Sequence, residues 1–284
     1  MSEGERIEDY RKRCIISSRR DPKLEKIDPS YRGGHASEAS ARAETLHYLH
    51  MLSHQQIMLY ASARQALLIV LQGLDTSGKD GTIRHVLKAF NPQGTAVTAF
   101  NVPTAEERAH DFLWRIHARA PAHGWIGIFN RSHYEDVLVP VVHAQIDRRT
   151  CERRYEAIRA FEELLARNGT HIVKLYLHIS KEEQLARFGA RLDDPSRNWK
   201  ISEADYTERA YWDHYRSAYE RAIAATTTKK APWYVVPADH KWFRNLAVSQ
   251  IIAETLKALR LGYPKAKVDI ADVRRRYHAA SAAR

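Results

Sequence analysis

Gly73 and Gly78 stand five residues apart with Lys79 directly after the second, a spacing that builds an anion grip. In the P-loop pattern G-x-x-x-x-G-K, backbone N–H groups and a lysine surround phosphate oxygens, and the helix that follows adds its positive N-terminal end. The segment reads ALLIVLQGLDTSGKDGT from Ala66 to Thr82, so phosphate contacts are expected from Gly73, Thr76, Ser77, Gly78, Asp80, Gly81 and Thr82 around Lys79. Asp80 stands where the motif usually carries Ser or Thr. The usual hydroxyl ligand for Mg²⁺ is therefore missing, with Thr82 two residues on, and Asp75 inside the loop is the carboxylate expected to hold the metal instead.

A second constellation is IGIFNRSHYEDVLVP, Ile126 to Pro140. P-loop proteins often end such a strand in an acid that positions Mg²⁺, whereas this one ends in Asn130 and Arg131. Arginine neutralises phosphate as a planar fork, and Glu135 and Asp136 bring carboxylates one turn later. The third is RFGARLDDPSRNWKIS, Arg187 to Ser202. Arg187 and Arg191 lie four apart on a predicted helix and share a face, Asp194-Pro195 ends that helix, and Lys200 follows. A basic helix and turn of this kind suit a lid that closes over phosphates and excludes water. The fourth, APWYVVPADHKWFRN from Ala231 to Asn245, reads as a core strand with Asp239, His240, Lys241 and Arg244 at its carboxyl end.

The elements that must position these groups alternate along the chain. Apolar runs at Ala66–Leu71, Gly94–Phe100, Trp125–Phe129, His171–His178 and Trp233–Val236 predict strands, with helices near 82–90, 104–119, 150–168 and 241–260. Such alternation predicts an α/β fold with a mainly parallel sheet and helices on both faces, in an order the sequence does not give. Residues 1–40, with Pro22, Pro29 and Gly33-Gly34, read as a loosely structured arm. A helix is expected from about Ser40 to Arg64, and its His47, His50 and His54 read as surface residues, since no acid or cysteine joins them. The expected organisation is an arm over 1–40, a single α/β domain over 41–262 with a lid at about 181–225, and a basic tail over 263–284.

Lys and Arg number 45 against 34 Asp and Glu, so the net charge of 45 − 34 = +11 favours an anionic ligand. Cys14 and Cys151 supply no disulfide framework. The charged opening MSEGERIEDYRKR lacks the apolar core of a signal peptide, and no run reaches membrane length, so a cytoplasmic protein without membrane contact is expected.

GLDTSGKDGT, FNRSHYEDV, RLDDPSRNWK and APWYVVPADHKWFRN together resemble the polyphosphate kinase 2 family, which moves a phosphoryl group between inorganic polyphosphate and a nucleotide. The likeness runs from about Asp28 to Leu261. It implies a P-loop kinase-like three-layer α/β/α fold with a helical lid, dependence on Mg²⁺ with Mn²⁺ as a substitute, adenine or guanine nucleotides as substrates, and a homo-oligomer, dimer or tetramer. Carried over by position, Asp75 and Lys79 match the family's loop acid and lysine, Arg131 the arginine of its Walker B-like motif, and Arg191 a lid arginine. Members specialised for nucleoside diphosphates read roughly D-R-S-W-Y-N-R in the second motif. Here Asn130, His133, Glu135 and Asp136 stand there instead, which resembles the subgroup accepting both AMP and ADP, with Glu135 replacing the asparagine. From residues alone two alternatives stay open: an ATP-dependent nucleotide kinase, which the loop allows equally, and a non-catalytic polyanion binder. No RNA-binding signature or zinc-finger spacing supports nucleic acid as a partner.

Overall fold

A computed structural model describes residues 8–17 and 22–282, apart from the side chains at 200, 204 and 205. The strands are β1 (Ile15–Ile16), β2 (Ala66–Gln72), β3 (Thr95–Ala99), β4 (Ile126–Asn130), β5 (Thr170–His178) and β6 (Trp233–Pro237). They form one sheet in the order β1-β6-β5-β2-β4-β3, parallel throughout except for β1 against β6.

Because side chains of a strand alternate between faces, the fully buried β2 feeds two cores. Leu67, Ile69 and Leu71 pack with helices Glu38–Ser62, Lys79–Leu87 and Lys241–Ala258, while Leu68 and Val70 pack with helices Glu135–Val142, Arg148–Arg167 and Trp212–Thr226. Each of these side chains contributes about 1.5–3 kcal/mol by leaving water. The result is three layers, helix on sheet on helix, as expected for a P-loop kinase-like fold. β4 and β3 lie on one side of β2, and β5 and β6 on the other. The chain leaves β2 for the far edge and later crosses back, so the switch point, where α/β sheets bind ligands, lies at the carboxyl end of β2.

The helix expected over 104–119 is two short ones, Ala105–Ala109 and Trp114–His117. His110 is extended, at φ −106° and ψ 174°, and Asp111 restarts the chain by accepting from Leu113 N at 2.9 Å through its side chain and from Trp114 N at 3.1 Å through its carbonyl. The described part of residues 1–40 is more ordered than its composition suggests. Tyr10 is buried against Phe243, its backbone N–H donates to Gln250 Oε1 at 2.5 Å, and β1 extends the sheet. Helix Ile270–Ala282 near the C-terminus buries none of its residues.

Beneath the turn that follows β4 sits a buried charged cluster. Lys174 on β5 donates to Glu162 Oε2 at 2.7 Å, to the Tyr134 hydroxyl at 3.0 Å and to Thr226 O at 2.9 Å. Glu162 also accepts from the Tyr134 hydroxyl at 2.8 Å and lies 3.3 Å from His133 Nε2. Burial pushes the Glu162 carboxyl up, but Lys174 and His133 more than offset it and hold the group below its ordinary range. Removing one partner strands the other charge in a dry interior. Glu162→Gln is expected to lower unfolding free energy by about 3–5 kcal/mol in urea titrations, and the double variant Lys174→Met/Glu162→Gln by clearly less than the sum of the two single changes.

Candidate active site

The loop after β2 turns on positive φ angles, 154° at Gly73, 63° at Thr76 and 102° at Gly78. Glycine is required for space as well as angle. A Cβ on Gly73 would lie 2.5 Å from Ser77 Oγ and 2.9 Å from Leu177 O, and one on Gly78 would overlap the Arg244 guanidinium. Lys79 opens the next helix, and its Nζ donates to Gly73 O at 2.6 Å and Leu74 O at 3.2 Å, folding the ammonium over the loop. Burial and then Arg131 lower its pKa to about 8, against the pull of Asp75, Glu135 and Asp80.

Arg131 is the first residue past β4 and sits at φ 63°, an angle costly for a residue with a Cβ, with its N–H tied to Leu71 O at 3.1 Å. This turn aims the guanidinium at the loop. Nη2 donates to Asp75 Oδ1 at 2.9 Å, and Nη1 lies 3.5 Å from Glu135 Oε2. Burial pushes the Glu135 carboxyl up, with Arg131 and Lys79 working against it. Lys79, Asp75, Arg131 and Glu135 therefore form an array of alternating charge at the carboxyl edge of the sheet. Gln72 braces it from below, donating to Ser132 Oγ and accepting from the Tyr219 hydroxyl, both at 3.1 Å.

Asp75, Arg131 and Glu135 line a cleft whose other wall comes from Gln184, Glu208, Arg209 and the aromatic face of helix Trp212–Thr226. Trp212, Tyr215 and Tyr219 line that wall, and their i, i+3, i+7 spacing is the only trace of it in the sequence, with no motif attached. Helix Lys181–Leu192 is tied to the loop by Gln184 Nε2, which donates to Asp75 O at 3.1 Å. Arg209 in turn donates to Gln184 Oε1 and Lys181 O, each at 2.8 Å. Glu208 is held by the Tyr215 hydroxyl at 2.7 Å and lies 3.1 Å from His143 Nε2.

Several expected site residues do other work. Arg187 is buried under the loop with all its donors engaged, Nε with Glu183, Nη1 with Thr76 O and Ser77 O, and Nη2 with Ala238 O and Asp239 O, so it braces the loop from beneath. Thr82 is 1% exposed and faces an apolar cavity between Ile69, Ile128 and Val248, because the helix turns it into the core. Asp194 caps the lid-tip turn, accepting from Ser196 N and Oγ at 3.0 and 2.6 Å and pairing with Arg197 at 2.8 Å. Asp136 points away from Arg131 toward Arg115, at 3.6 Å. Asp80 accepts from Asn130 Nδ2 at 3.0 Å and joins the loop helix to the end of β4. Arg191, in the last turn of helix Lys181–Leu192, lies over the Phe188 ring and outside the cleft lining. The Lys200 side chain lies outside the described residues. Gly81 leaves room for Arg244, and the buried hydroxyls of Thr76 and Ser77 have no hydrogen-bond partner.

The lowered pKa of Lys79 has a measurable consequence. Only the ammonium attracts anions, and it loses its proton from about pH 8 rather than 10.5. Affinity for inorganic triphosphate, followed by calorimetry, is expected to hold below pH 8 and to fall above it, approaching about tenfold per pH unit. Lys79→Arg, which stays charged, is expected to remove the fall.

Residues 35–262 match the family model for polyphosphate kinase 2. The chain is 46% identical over 252 residues to an ADP-polyphosphate phosphotransferase of Rhodopseudomonas palustris, covering 84% of this chain and 86% of the relative. It is equally 46% identical over 243 residues to an AMP/ADP-polyphosphate phosphotransferase of Meiothermus ruber, covering 85% of this chain and 91% of the relative. The crystal structure of polyphosphate kinase 2 from Arthrobacter aurescens TC1 superposes with a TM-score of 0.93 at 43% identity, over 98% of this chain and all of that one. With the loop after β2, the arginine past β4 and helix Lys181–Leu192 converging on one cleft and a family match from His35 to Gly262, this chain belongs to the polyphosphate kinase 2 family.

Proposed function

We propose that this polyphosphate kinase transfers the terminal phosphoryl group of inorganic polyphosphate to AMP as well as ADP, reversibly and with a divalent cation. The observation that carries the reading is the array of Lys79, Asp75, Arg131 and Glu135 at the mouth of a phosphate loop. A nucleotide phosphate oxygen attacks the terminal phosphorus in line, the anhydride bond to the next phosphate breaks, and the shortened chain leaves with the electron pair. The attacking oxygen is already largely ionised, so no strong base is needed. Such a transition state asks for positioning and charge neutralisation, which Lys79 and Arg131 supply at the loop and Arg191 from the lid. Both donor and acceptor bonds are phosphoanhydrides, so direction follows concentration.

Mg²⁺, with Mn²⁺ as substitute, fits Asp75. Magnesium is commonly held by one or two carboxylates and completes its shell from phosphates and water. No group of three His, Cys, Asp or Glu side chains occurs among the described residues, while Asp75 presents a partly exposed carboxylate on the cleft. Held by Asp75, such an ion would supply further neutralisation of phosphate charge beside Lys79 and Arg131. Asp75→Asn is expected to weaken Mg²⁺ dependence and lower kcat at least about 100-fold.

Glu135 supports the dual acceptor. A carboxylate beside the acceptor phosphates repels a diphosphate more than a monophosphate, which lets AMP compete. No helix among the described residues is long and apolar enough to cross a membrane, and a cytoplasmic location is proposed. A homo-oligomer is proposed with it and is tested by light scattering.

The deciding assay is nucleotide formation from long-chain polyphosphate and Mg²⁺, with AMP or ADP given separately. Both acceptors are expected to react, and both activities are expected to be lost in Lys79→Ala. Glu135→Asn is expected to shift the ratio of kcat/KM values toward ADP by about tenfold. Transfer from ATP to a nucleoside monophosphate without turnover of polyphosphate would overturn the reading.

A further inference from the structure

The fourth motif carries Arg244 next to its last residue, and the proposed chemistry does not use it. It is 3% exposed, on the first turns of helix Lys241–Ala258. Its Nε and Nη2 donate to Asn245 Oδ1 at 3.3 and 2.9 Å, and its Nη1 reaches Ser77 O at 3.4 Å. Arg187 reaches the same carbonyl from the lid helix, Nη1 to Ser77 O at 3.1 Å. Two guanidinium groups thus meet one carbonyl of the phosphate loop. Arg187 has a carboxylate beside it, Glu183 at 2.7 Å. Burial, followed by repulsion from Arg187, lowers the pKa of Arg244 to about 10, with no acid among the causes.

Burying a cation without a carboxylate is expensive, so the position needs a reason. The geometry of Gly78 supplies one. Its missing Cβ leaves the space that the Arg244 guanidinium fills, so the second loop glycine and an arginine 166 positions later are sterically one unit. The peptide bond adds the rest of the argument. In a planar trans peptide the carbonyl of Ser77 and the N–H of Gly78 point in opposite directions. A carbonyl held from beneath by two guanidinium groups therefore turns the Gly78 N–H toward the outer side of the loop.

We propose that Arg244 is a positioning residue for phosphate. Paired with Arg187, it fixes the Ser77–Gly78 peptide so that the N–H faces the bound anion, and it places positive charge under the loop without touching the ligand. The proposal rests on the loop's binding phosphate, and its test keeps the two apart.

The probe is inorganic triphosphate, titrated by calorimetry into the full chain, with thermal unfolding as the check on folding. Arg244→Gln is expected to bind triphosphate about tenfold more weakly than the parent. Arg244→Lys, which keeps the charge, is expected to stay within about threefold of the parent, a rescue that a purely structural role would not give. A folded Arg244→Gln with parental affinity would overturn the proposal, and so would an Arg244→Lys as weak as the Gln variant. If Arg244→Gln does not fold, Asn245→Ala decides, because it removes only the acceptor that anchors the guanidinium: weaker binding supports the role and parental affinity overturns it. Failure of the parent itself to bind triphosphate would instead overturn the phosphate-loop reading on which the proposal stands.

Discussion

A phosphate loop must collect positive charge, and positive charges repel. This chain gathers Lys79, Arg131, Arg187 and Arg244 around a single turn, and the way it keeps them there sets the positions of everything else. Two like charges about 4 Å apart repel by about 4 kcal/mol at an effective dielectric of 20. Carboxylates are set between them: Asp75 and Glu135 take the Arg131 fork, and Glu183 takes Arg187 Nε. What the acids leave over falls on backbone carbonyls, of Gly73 and Leu74 for Lys79 and of Thr76 and Ser77 for the buried arginines. The loop's carbonyls are consumed from inside. Ser77 N–H closes the turn onto Leu74 O at 3.0 Å, and the division turns the loop's other N–H groups toward a ligand outside, which is the polarity an anion site requires.

The second motif divides in the same way. Arg131 and Glu135 face the cleft, whereas Ser132, His133 and Tyr134 between them are fully buried. Ser132 is gripped by Gln72 at the end of β2, and His133 and Tyr134 stand on the Lys174–Glu162 pair. Buried ion pairs contribute little net stability but fix geometry, because any displacement exposes an unpaired charge to a dry interior. The positive φ of Arg131 persists in such surroundings, where neighbours on both sides over-determine the turn. FNRSHYEDV therefore presents Arg131 and Glu135 to the cleft and uses Ser132, His133 and Tyr134 as their foundation.

Local signals made the loop and the strands legible, because both follow from short-range pattern: an apolar run, two glycines and a lysine. Strand order was not legible, since it depends on which buried faces meet across the sheet. Arg187 and Arg191 show the limit most clearly. Four residues apart on one helix they look equivalent, yet one ends under the loop with every donor engaged and the other over Phe188 near the lid tip. A difference of one helical turn in height above the sheet separates them, and nothing in the sequence encodes that height. Thr82 lies away from the cleft for a related reason, since the helix phase that points Lys79 at the loop points Thr82 at Ile69 and Val248. The break at His110 is not legible in the sequence because Asp111 can either continue a helix or start a turn by accepting from Leu113 N, as it does here.

The attachment of the lid follows from the same use of carbonyls. Gln184 donates to the carbonyl of Asp75, the residue whose carboxylate meets Arg131, and Arg209 completes the link through Gln184 Oε1. Lid position and the orientation of the loop acid are therefore coupled through one peptide unit. The remaining tether, Glu208 between His143 and Tyr215, is only partly buried, and contacts of that kind contribute about 0–1 kcal/mol each. The base of helix Lys181–Leu192 is held far more firmly, because Arg187 commits its buried donors to the carbonyls of Thr76, Ser77, Ala238 and Asp239, so loop and helix form one stiff unit beside the cleft.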